Sequence, residues 1–155
     1  MIRISALIAI FLMATVSAAT AGGWDADKGM DRVKLSGTLV CVGCSLKKMS
    51  GANAQCNLYA HHAIGFKAGD GTLWSIVDNA KGHDIIRAHT LVEGKAAVIT
   101  GWIYPAAHFV EVDEISVSGV SAEAIAKAGW EEDMLLAKRL AERKVGEVPT
   151  MEHAH

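Results

Sequence analysis

The chain has no G-x-S-x-G turn, no H-E-x-x-H pair and no glycine loop of the phosphate-binding kind. Their absence removes the common signatures of serine hydrolases, zinc proteases and nucleotide-dependent enzymes. No C-x-x-C-H is present, because Ser45 follows Cys44, so covalent attachment of a c-type haem is excluded. A second C-x-x-C pair is missing as well. No basic stripe runs through the sequence, and its 15 Lys and Arg are outnumbered by 17 Asp and Glu. Phosphate contacts supply most nucleic-acid affinity, so a nucleic-acid partner is not expected. After the first twenty residues no apolar run is long enough to span a bilayer. The acidic residues Asp78, Asp84, Glu111 and Asp113 are scattered and read as surface groups rather than a catalytic pair. Together these absences lean against an enzyme.

What is present begins with the N-terminus. Residues 1–21 read MIRISALIAIFLMATVSAATA. One basic residue, Arg3, precedes an apolar run from Ala6 to Val16. Ala19-Thr20-Ala21 then gives a small-x-small pattern. This is the plan of a secretory signal peptide, with a mature chain starting near Gly22 and a periplasmic or secreted location. No lipobox cysteine lies near the cut, so no lipid anchor is expected, and the apolar run is short for a retained membrane anchor. Cleavage would take Arg3 from the 15 basic residues and leave 14 against 17 acidic ones, a net charge of −3 with neutral histidine.

The length of 155 residues allows one domain with an appended helix. Residues 22–31 are polar and Gly-rich and read as a flexible leader. Arg32 to Val42 has strand character, with Val33, Leu35 and Leu39 on one parity and Gly37 marking a bulge or coil. Residues 44–55 read as a long polar loop. Ala63 to Asp78 is the clearest hairpin, with Asp70-Gly71 at its turn. A short helix is expected around His83 to His89. Lys95 to Val117 reads as a second hairpin turning at Pro105. Ser121 caps a terminal helix to Lys144, with Gly129 as a break and Trp130, Met134, Ala137 and Ala141 as its packing stripe. The expected division is signal peptide 1–21, leader 22–31, barrel domain 32–118, helical segment 119–146 and tail 147–155.

Five short strands with one helix between the third and fourth match the OB-fold, a partly open Greek-key barrel. The expected class is therefore mainly β with α, an OB-fold-like five-stranded barrel carrying a C-terminal helix. The run VxLxGxLV, GFKAGDGTLWSIVD, KAAVITGWIY, HFVEVDEISV resembles the small exported bacterial OB-fold proteins over residues 32–117. That resemblance implies an exported binding module with no fixed enzyme activity. The cysteine-rich loop between the first two strands departs from it, at a connection that OB-folds use for ligands.

Every cysteine lies in that loop: Cys41 and Cys44 at C-x-x-C spacing, then Cys56, followed by His61 and His62. Three cysteines cannot all pair within one chain. Cys41, Cys44, Cys56 and His61 make a three-thiolate, one-imidazole set of the kind that binds zinc tetrahedrally. The same donors suit Cu(I), with the Met49 thioether nearby. A closed four-ligand zinc has no open position for water, so structure or transfer is expected rather than hydrolysis. Two other readings stand beside this one. Cys41-Cys44 can serve thiol–disulfide or electron-transfer chemistry with a periplasmic redox partner, although the pair is expected at the mouth of a loop rather than at a helix start. Alternatively, a disulfide from Cys56 to Cys41 or Cys44 staples an interaction domain. Between the adjacent histidines, His62 shares parity with Ile64 and Phe66 and is expected to face the core, which leaves His61 as the ligand. His83 and His89 are expected to face solvent. His108 is a minor candidate for the same pocket, and the terminal His153 and His155 carry no assignment.

Overall fold

In the computed structural model, residues 24–25, 30–51 and 62–147 are described. A two-residue strand, β1 (Trp24–Asp25), pairs antiparallel with the start of β2 (Met30–Cys41), within the segment expected as a leader. The long strand β2 then serves two neighbours. Its first half pairs with β5 (Ala96–Tyr104) and its second half with β3 (Ile64–Ala68). A strand shared in this way must coil sharply where it changes partner. Gly37 sits there, paired with both Ala68 and Ala97. A Cβ at Gly37 would lie 2.2 Å from the Lys67 carbonyl oxygen, so only glycine lets the three strands close up.

The circuit continues from β3 to β4 (Leu73–Ile76), antiparallel, and from β4 to β6 (Phe109–Val117), parallel. Strand β6 returns antiparallel to β5, which closes the barrel on β2. Helices α2 (Ala80–Arg87) and α3 (His89–Val92) lie between the third and fourth barrel strands, and α4 (Ala122–Glu142) follows the last. This is the expected five-stranded OB-fold-like barrel with its C-terminal helix. Leu39, Phe66, Trp74, Ile76, Ile99 and Val110 fill the interior. On β4 the buried side chains are Trp74 and Ile76, because Trp74 stands directly across from Phe66. Among the described residues, no helix is long and apolar enough to cross a membrane.

Three local expectations change. Residues 44–50, expected as loop, form the body of helix α1 (Val42–Ser50). The Cys41 side chain caps its start, and Gly51, at φ 68°, ends it in the left-handed conformation that glycine takes most readily. Gly43 and two lysines mask the helical period in so short a segment. Gly129 does not break α4 either. It is buried, and a Cβ there would stand 3.1 Å from Asp84 Cα, so its missing side chain lets α4 lie close against α2. The docked face of α4 carries Ile125, Ala128, Gly129 and Leu136. Trp130 and Met134 are instead 63% and 50% exposed, and Ala137 and Ala141 face solvent with them.

A histidine fastens α4 to the barrel. His83 Nδ1 lies 2.7 Å from Asp78 Oδ1, and Nε2 lies 2.7 Å from Asp133 Oδ2 on α4. Arg87 Nε reaches the other oxygen of Asp133 at 3.1 Å. The bond to Asp133, helped by Asp78, holds the imidazolium above its ordinary 6.5, against a smaller opposing effect of burial. A raised histidine pKa means that this stabilisation is complete below 6.5 and is lost as pH rises through the higher folded value. Denaturant midpoints measured from about pH 6 to pH 9 should therefore decline, and His83→Gln should flatten that decline. An unchanged slope in His83→Gln would show that the bridge does not titrate with folding.

Candidate metal centre

The barrel ladder builds the site. Cys41 is the last residue of β2 and pairs with Ile64, and Val42 N–H donates to the Ala63 carbonyl at 2.8 Å. The two ends of the 43–62 connection are therefore pinned side by side. One end turns at once into α1, which brings Cys44 back over Cys41: Cys44 N–H points at Cys41 Sγ at 3.5 Å. The other end presents His62. Ligand atoms of Cys41, Cys44 and His62 all lie within 4.8 Å of one another, a group that can hold a metal ion. A metal with bonds of about 2.0–2.3 Å draws tetrahedral ligand atoms to roughly 3.5–3.8 Å apart.

The surroundings grade from dry to wet. Cys41 is 1% exposed and faces the end of the barrel core, while Cys44 and His62 are half-buried. His62 Nε2 lies 3.7 Å from Glu93 Oε2, at the end of α3. Its other nitrogen, Nδ1, is buried and has no hydrogen-bond partner among the described residues. Behind His62 stands His89, with ring centroids 5.7 Å apart. His89 is not solvent-facing as expected but 1% exposed, and its Nε2 lies 3.6 Å from Glu132 Oε1 on α4. Arg139 approaches the same carboxylate at 3.6 Å.

Of the four residues expected as ligands, Cys41 and Cys44 are brought together, and Cys56 and His61 lie outside the described residues. His62 joins the pair although parity had assigned it to the core. The reason is that the cluster is itself on the core side. Cys41 shares the odd parity of Leu39, and His62 shares the even parity of Ile64 and Phe66, so both buried faces converge at the barrel end. That convergence was readable in the sequence, but only with the strand register in hand. His108 is elsewhere, at the β5–β6 turn with φ 54° and its ring 5.6 Å from Trp74. Asp78 and Asp113 serve ion pairs with His83 and Arg32, and Glu111 accepts from the Tyr104 hydroxyl.

Comparison with protein-family models, with curated proteins and with solved structures finds no match. The barrel and its cysteine–histidine group stand on the chain's own geometry.

Proposed function

We propose that this chain is an exported OB-fold module that binds a soft metal, zinc or copper, at the barrel end, in a structural or redox-accessory role. The observation that carries the proposal is the meeting of two thiols and an imidazole within 4.8 Å. His62 Nε2 faces Glu93, which leaves the buried Nδ1 for the metal. A carboxylate behind a ligating histidine fixes its tautomer and raises its basicity, and Glu93, 3.7 Å away, stands on the side from which that bond would form. Cys56 or His61, both within the same connection, would complete a fourfold shell. Three donors alone would suit Cu(I), whereas four would suit zinc. A four-ligand shell leaves the metal no room for a water nucleophile, which favours a structural or carrier role.

The helix start at Cys41 gives a second reading some support. A C-x-x-C pair at a helix N-terminus is the setting of thiol–disulfide catalysts, and α1 supplies that helix. Here the capping thiol is the buried one and Cys44 is the more accessible. A partner disulfide would meet the thiol that the helix does not favour, so metal binding is the better reading.

Elemental analysis of the protein recovered from the periplasm decides between the two. About one zinc or copper per chain is expected, with mass spectrometry of the same preparation reading an N-terminus at Gly22 or within a few residues of it. A metal-free protein whose Cys41 and Cys44 cycle with a redox buffer would establish the second reading. An intact Met1 would end the export proposal.

A further inference from the structure

We infer that the outward face of α4 binds a second copy of this chain, helix against helix and antiparallel. The helix has two apolar faces. One docks on α2 and α3 and carries Ile125, Ala128 and Gly129. The other, Trp130, Met134, Ala137 and Ala141, lies on the opposite side of the helix, and no described residue covers it. Steps of four, three and four keep these side chains on a narrow stripe, the a/d pattern of a two-helix seam.

The stripe is self-complementary in one direction only. Antiparallel pairing about a twofold axis near residue 135 sets Trp130 against Ala141 of the second copy and Met134 against its Ala137. Each layer then holds one large and one small side chain, twice over. A parallel pairing would set Trp130 against Trp130 and leave Ala137 and Ala141 facing their own copies across a void. Charge points the same way. Glu131 and Lys138 line one flank of the stripe. Reversed on itself, that flank brings Glu131 to Lys138, and the twofold axis makes two pairs of opposite sign. Within one chain Glu131 meets Lys127, at 3.8 Å on an exposed surface. The seam is four layers long, so a weak, concentration-dependent dimer is expected rather than an obligate one.

Sedimentation of the full chain, as recovered after expression, over a wide concentration range tests the inference. The wild type should pass from monomer to dimer. Glu131→Lys and Lys138→Glu each replace two attractions by two repulsions and should weaken the dimer by roughly tenfold. The double variant Glu131→Lys/Lys138→Glu should regain wild-type association. An equimolar mixture of the two single variants should also associate, each preferring the other to itself, because one partner then carries two lysines on that flank and the other two glutamates. Circular dichroism confirms that α4 remains helical in each variant. A chain that stays monomeric throughout the range overturns the inference. So does a dimer indifferent to the charge swaps, which would place the contact elsewhere, and so would occupation of the stripe by the apolar N-terminal segment of the same chain.

Discussion

His62→Ala should cost the protein at least about 100-fold in metal affinity, and Glu93→Gln about tenfold, while Cys41→Ser should abolish binding. The order follows from what each residue does at the site. Cys41 supplies a soft donor that a serine hydroxyl does not replace. His62 supplies the imidazole, and Glu93 only orients it across 3.7 Å. Competition with a metal-sensitive dye reads all three affinities. The same variants report on the fold, because a metal that binds only the folded chain stabilises it by about 2.7 kcal/mol when free metal stands at 100 times the dissociation constant. A chelator should therefore lower the midpoint of thermal unfolding in the wild type and leave Cys41→Ser unchanged. Cys41 is buried, so a hydroxyl there also loses stability for reasons unconnected with metal. His62→Ala is the cleaner test: undiminished affinity in that variant would remove His62 from the shell and return the imidazole role to His61.

The parts of this molecule that could be read in advance are those where local chemistry agrees with the fold. Asp70-Gly71 announces the β3–β4 turn, and there Gly71 takes φ 90° and the Asp70 side chain accepts from Thr72 N–H at 2.9 Å. Ser121 announces α4 and does cap it, accepting from Ala124 N–H at 3.1 Å. Gly37 announces a sharp coil and sits where β2 changes partner. The misreadings occur where a residue's role is set by something distant in sequence. Gly129 resembles a helix breaker until α2 is placed against it, and then its missing side chain is what allows contact with Asp84. His89 resembles a surface residue until α4 and the barrel end close over it. The metal candidates were half legible: spacing pointed to Cys41 and Cys44, but only the β2–β3 register, with Cys41 paired to Ile64, brings His62 beside them.

Truncating two aromatic side chains should separate the barrel core from the outer helix face. Phe66 is 0% exposed, stands across the β3–β4 ladder from Trp74 and fills the centre of the barrel. Phe66→Ala removes a ring from a space that closed strands cannot collapse around, and should cost about 3–5 kcal/mol. Against a total stability of roughly 5–15 kcal/mol, that loss brings the protein close to unfolding at ordinary temperature. Trp130 is the larger residue, and by pattern alone it belongs to the packing stripe of α4. At 63% exposure it contributes little to the monomer. Trp130→Ala should leave the unfolding free energy within about 0.5 kcal/mol when measured at high dilution. Urea titrations of both variants, with the slope against denaturant checked for constancy, make the comparison. Equal losses in the two would mean that α4 turns its tryptophan inward, and the outward stripe, with the antiparallel pairing built on it, would fall together.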